Sequence, residues 1–312
     1  MLLRVFAAVL CCVLMVPAAP VRADIVDIYI KDLKSKDDKV RLKAANRLAE
    51  RGAEAKKAIP ALIETLDDAN VEVRRACILA LGQMRDAGKE AIPALCIALT
   101  KEKDAEARLY AADALGNIGP DKDKSIPALI AALKDKDVGP HAANALRKFG
   151  PAAKEAVPAL GEALRDPAVR GFAAQALAEI GTAALKELHE ALKDKDDEVR
   201  IDATAALGQL GKEAVPALLD ALKDKTPEVR LNAVAAVARI GAEANDAIPL
   251  LIDLVTFDKK DSIRTKAAAT LGLMGPLAKD AIPALKKALA EDKDDDVKAA
   301  VEGALKQIEG KK

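Results

Sequence analysis

Three ring side chains recur at one spacing in a chain that has few rings. Tyr110, His141 and Phe172 stand 31 residues apart. Three residues after them come Asp113, Asn144 and Gln175, and seven residues after them Asn117, Lys148 and Glu179. Steps of three and seven are one and two helical turns, so each triplet would line one helix face. Convergent rings, amides and charges suit binding of a peptide, or of a sugar by ring stacking. The competing reading is that Tyr110 and Phe172 fill an irregular stretch of the fold.

Bond-breaking chemistry has less to stand on. Only two histidines occur, His141 and His189, so a three-histidine zinc site is impossible. Cys77 and Cys96 fall at small or apolar slots and read as buried thiols. A disulfide between them is the alternative, excluded by a Cα separation above about 7 Å. Neither cysteine has a histidine at an arguable distance.

The elements that must carry these residues are repeats. Ile/Val-Pro-Ala-Leu recurs at Ile59, Ile92, Ile126, Val157, Val215 and Ile282, with a variant at Ile248. Between copies, Val-Arg followed by small residues recurs at Val40, Val73, Val169, Val199 and Val229. Looser copies start at Ala107, Val138, Ile263 and Val297, giving nine units with a period of about 32 residues. In the first helix of a unit the proline occupies the first turn, where its missing N–H costs nothing. The second helix has apolar or small residues at offsets 0, 4, 8 and 11 from its valine. A glycine such as Gly52, Gly119 or Gly150 ends it, which suits a left-handed cap. Asp-Lys-Asp turns supply N-caps, for example around Asp196 and Asp197. Length varies only in turns, which are shortest in units four and five. Offset 3 of the second helix holds Tyr110, His141 and Phe172, then Asp202, Asn232, Lys266 and Ala300. Stacked units would set ring above ring in a patch ~20 Å long and ~10 Å wide.

Composition agrees. Hydrophobic residues make up 51% of 312, aromatics 2%, and tryptophan is absent. The 67 alanines move the expectation to an all-α fold and away from β-sandwiches and barrels. Lysine plus arginine equals aspartate plus glutamate at 49 each. A tracker of nucleic-acid phosphates needs a basic stripe, so no nucleic-acid partner is expected.

The first 23 residues stand apart. A basic start, the apolar run from Val5 to Val16 and Val21-Arg22-Ala23 have the layout of a secretory signal peptide cleaved after Ala23. Retention as an anchor is the alternative. Cys11 and Cys12 invite a lipoprotein reading, which Leu10 weakens. The expected domains are therefore 1–23, signal peptide, and 24–312, solenoid. The mature protein is expected in the periplasm or outside the cell, with no membrane contact after cleavage.

The unit Asp-x-x-x-x-Val-Arg-x-x-Ala-x-x-Ala-Leu-Gly-x-Ile-Gly, followed by Ala-Ile-Pro-Ala-Leu, resembles the bacterial HEAT repeat of the phycobilin-lyase-like type, from Asp24 to Lys312. The resemblance implies a right-handed α-solenoid of about nine helix pairs, with second helices lining the concave face. It also implies a ladder in which the second-helix arginine meets an acid in a turn. The acid recurs six residues before the basic slot at Asp68, Glu102, Asp194, Asp224, Asp258 and Asp292. Ser35 replaces it in unit one, and shortened turns remove it in units four and five. HEAT hydroxylases that bind two irons use several His-Glu dyads, whereas this chain has one, His189-Glu190.

The reading is an exported, non-catalytic scaffold without a cofactor, holding a protein or peptide partner. Its expected site is Tyr110, Asp113, Asn117, His141, Asn144, Lys148, Phe172, Gln175 and Glu179. The alternatives are an oxidoreductase or lyase-related activity, or a passive structural spacer.

Overall fold

A computed structural model describes residues 24–310; the expected signal peptide lies outside the described residues. Eighteen α-helices fall into nine pairs among them, and there is no strand. The first helices of the pairs are α1 (Ile25–Asp32), α3 (Ile59–Glu64), α5 (Ile92–Lys101), α7 (Ser125–Ala132) and α9 (Val157–Ala163). They continue as α11 (Leu185–Ala191), α13 (Val215–Ala221), α15 (Ile248–Phe257) and α17 (Ile282–Glu291). The second helices are α2 (Asp38–Arg51), α4 (Val71–Gln83), α6 (Ala105–Ile118), α8 (Gly139–Phe149) and α10 (Arg170–Ile180). α12 (Asp197–Leu207), α14 (Pro227–Ile240), α16 (Asp261–Met274) and α18 (Asp295–Glu309) complete the row. The architecture is the expected α-solenoid.

Local sequence sets the helix ends. Pro60, Pro93, Pro158, Pro216 and Pro283 all lie in the first turn of their helices. Asp37, Asn70, Asp104, Asp196 and Asp294 cap second helices through their side chains. The terminal glycines differ from expectation. Gly52 and Gly150 have φ 51° and 53° but ψ −129° and −134°, outside the left-handed helical well. The chain swings there into a short 3₁₀ segment, through a conformation that a Cβ resists. Unit two has no glycine in this slot, and Arg85 takes the positive φ of 50° instead.

The second helices pack on one another in an unbroken row from α2 to α18, whereas the first helices meet more sparingly. The second helices are thus the more closely packed of the two rows and are termed the inner row. Close approach depends on missing side chains. A Cβ on Gly82 would lie 2.8 Å from the Ala114 Cα, and one on Gly116 would lie 2.9 Å from the Ala145 Cβ. Val199, Ala203 and Leu207 are buried at the expected offsets. Cys77 is buried and Cys96 half-buried, and both are free thiols.

The charged ladder runs along the turns. Arg41 meets Asp68, Arg74 meets Glu102, Arg200 meets Asp224, Arg230 meets Asp258 and Arg264 meets Asp292. Each arginine also donates to the carbonyl six residues before it. Two rungs depart from the sequence reading. The shortened turn of unit four still supplies an acid, Asp135, which accepts from Arg108 at 3.1 Å. Arg170 turns to Asp196 at 2.6 Å, because Arg165 already holds Asp194. Unit four has Gly139 in the arginine slot, so the ladder stops there. A Cβ on Gly139 would lie 2.8 Å from the Leu133 carbonyl and 2.9 Å from Val169, and no arginine fits.

Candidate binding site on the inner helices

The nine expected site residues lie on α6, α8 and α10, three successive inner helices. Two pairs are joined across the gaps between helices. His141 Nδ1 is 3.1 Å from both oxygens of Asp113. The Lys148 ammonium donates to the Asn117 amide oxygen at 2.8 Å. Asn144 is engaged within its own helix, accepting from Arg147 Nε and Nη2 at 3.1 and 3.0 Å.

Tyr110 is less available than its slot suggested. It is half-buried, and its hydroxyl donates to Glu106. That hydrogen bond to a carboxylate, with partial burial, pushes the phenol up from its ordinary range. Glu106 also faces Arg75, which clamps Asp104 at 2.8 Å through two nitrogens. The Arg75 guanidinium holds the Asp104 carboxyl down at about 2. Among the described residues no ring contact joins Tyr110, His141 and Phe172. In place of the expected ring-on-ring stack, the Tyr110 hydroxyl turns to Glu106 and His141 Nδ1 to Asp113.

Unit five holds the uncommitted chemistry. Phe172 is 42% exposed. Gln175 and Glu179 are exposed, and neither side chain has a hydrogen-bond or ion-pair partner among the described residues. At the next copy of the ring slot, Asp202 on α12 is half-buried, and burial pushes its carboxyl up. Sequence reasoning placed Asp202 in the slot without assigning it to the site, and it missed Glu106, Arg75 and Arg147. Glu106 was findable: it stands four residues before Tyr110, one turn away on the same helix face.

Among the described residues no three His, Cys, Asp or Glu side chains converge to hold a metal ion. His189 Nε2 lies 2.8 Å from Asp220 of the following unit, so the histidine of the single His-Glu dyad has another partner. No helix among these residues is long and apolar enough to cross a membrane.

No curated protein matches the chain. Among solved structures, Kap121p is similar, with 16% identity and a TM-score of 0.67 over 94% of this chain and 38% of that one. Kap121p bound to Nup53p gives 17% identity and a TM-score of 0.65 with the same coverage. The chain thus spans little more than a third of Kap121p. An engineered protein is 26% identical over 91% of this chain and 89% of its own, with a TM-score of 0.49. The family profile described as HEAT repeats matches residues 26–108, 92–167, 157–226 and 215–306. With nine helix pairs joined at all but one junction by an arginine–acid ladder and four matched segments spanning nearly all the described residues, the chain is a member of the HEAT-repeat family.

Proposed function

We propose that this chain is a non-catalytic binding scaffold that seats a protein or peptide on the concave face of units three to five. The carrying observation is the exposed Phe172 ring beside the uncommitted Gln175 and Glu179, next to the fixed His141–Asp113 rung. An open row of helices suits an extended chain, which meets a ring, an amide and a charge in turn. Solenoids of this fold seat protein partners elsewhere, since Kap121p has been solved with Nup53p and with the SUMO protease Ulp1p. The engagement of His189 by Asp220 favours the scaffold over an oxidoreductase.

We also propose export, on the strength of the basic and apolar start of the sequence; that layout supports a periplasmic or secreted scaffold. We further propose that the chain belongs to the phycobilin-lyase-like branch of the family, which its repeat unit resembles. The test is affinity capture with crosslinking from the native envelope fraction, using the wild type and the Tyr110→Ala, His141→Ala, Phe172→Ala triple variant. A folded triple variant that loses the captured partner supports the reading; one that retains it contradicts the reading.

A further inference from the structure

A second surface lies on the turn edge of units seven and eight, beyond the site residues of units three to five. Phe257 ends α15 and is 75% exposed, the most exposed of the large hydrophobic side chains among the described residues. On one side it walls a hollow of about 520 Å³, lined by Leu222, Leu250, Leu254 and Pro227. On its other side, toward α17, lies a second hollow of about 340 Å³ that reaches Val255 and Ala288. A ring left in water between two partly apolar hollows is a surface that gains by being covered.

The ladder decides the charge of this surface. Asp224 and Asp258 line the larger hollow, but Arg200 holds the first at 2.8 Å and Arg230 the second at 2.7 Å. The rim lysines Lys223, Lys225, Lys259 and Lys260 have no ion-pair partner among the described residues. Asp253 is the uncommitted carboxylate among the lining residues. The rim therefore presents four free ammonium groups against one free carboxylate, around a leucine-floored hollow. Such a rim favours anionic partners, and the floor favours an apolar side chain over a phosphate or a base.

We propose that this hollow docks an acidic segment of a partner protein, with one apolar residue anchored against Leu250, Pro227 and Phe257 and flanking carboxylates on the lysines. This surface is separate from the Phe172 site of unit five. The probe is a labelled peptide with one leucine flanked on both sides by aspartate and glutamate, titrated into the full chain by fluorescence anisotropy. Binding is expected to saturate, to weaken with salt, and to fall roughly tenfold with Phe257→Ala or with the combined Lys223→Glu, Lys225→Glu, Lys259→Glu variant. Phe172→Ala should leave it unchanged, which separates this surface from the concave one. All these side chains are exposed, so unaltered thermal melts will confirm that the variants fold. The proposal is overturned if those variants bind like the wild type, if Phe172→Ala abolishes binding, or if the peptide with serine for leucine, or single-stranded DNA of equal charge, binds as tightly.

Discussion

Arg200 of unit six grips Asp224 of unit seven through two nitrogens, Nε at 2.8 Å and Nη2 at 3.2 Å, while Nη1 donates to the Asp194 carbonyl at 2.9 Å. The arginine side chain is 3% exposed, so this rung ties the turn of its own unit to the next one out of water. Arg200→Ala would leave Asp224 without its main counter-charge and the Asp194 carbonyl without its donor. A loss of about 3–5 kcal/mol is expected in urea unfolding. Lys34→Ala, which removes an exposed pair with Glu64, should cost no more than about 0.5 kcal/mol.

The ladder also sets acid stability. Arg41, Arg74 and Arg264 hold Asp68, Glu102 and Asp292 below the usual carboxylate range, and Arg75 brings Asp104 to about 2. At Asp224 and Asp258 burial pushes upward, yet Arg200 and Arg230 leave both carboxyls lowered. A folded-state value below the unfolded one stabilises above the unfolded value and is lost as pH falls through the folded one. The urea midpoint is therefore expected to stay level from neutral pH to about 5, then drop between about pH 4 and pH 2. A midpoint unchanged across that window would contradict the ladder's role.

Two glycines should respond with opposite signs. Gly116 lies where a Cβ would meet Ala145 at 2.9 Å, and Gly116→Ala is expected to destabilise by about 1–3 kcal/mol. Gly303, inside α18, has nothing within 4 Å of a built Cβ. Gly303→Ala should stabilise by up to about 1 kcal/mol. Thermal melts of the two variants will show whether inner-row spacing depends on missing side chains.

Arg85 holds φ 50° at the slot that glycine fills in units one and three to eight. Positive φ is unfavourable for a residue with a Cβ. Arg85→Gly relieves that strain while loosening the unfolded chain, and a net gain of about 1 kcal/mol is expected in the melt.

The repeats were legible because proline, valine, arginine and glycine recur in positions that each need one physical property. The Arg108–Asp135 rung was not legible, because a shortened turn moves the acid closer to the valine and hides it from a fixed spacing. Arg85 was hidden for the opposite reason: the conformation persists where its usual residue does not. For the site, the register correctly placed Tyr110, His141 and Phe172 on successive inner helices. It could not show that Glu106 takes the Tyr110 hydroxyl or that Arg147 takes Asn144, since these depend on side-chain rotamers. The charge of the Phe257 edge was equally hidden, because lysines and aspartates alternate in the sequence and only the ladder shows which aspartates are already engaged.

The most direct measurement places a photocrosslinking amino acid at position 172 on the concave face or, in a separate variant, at Ile97 on α5, a first helix outside the inner row and also exposed. Both variants are irradiated in the native envelope fraction. A concave-face scaffold predicts a discrete protein adduct from position 172 that Tyr110→Ala with His141→Ala suppresses, and none from position 97. Adducts from position 97 alone, or adducts from position 172 that the double variant leaves unchanged, would contradict it.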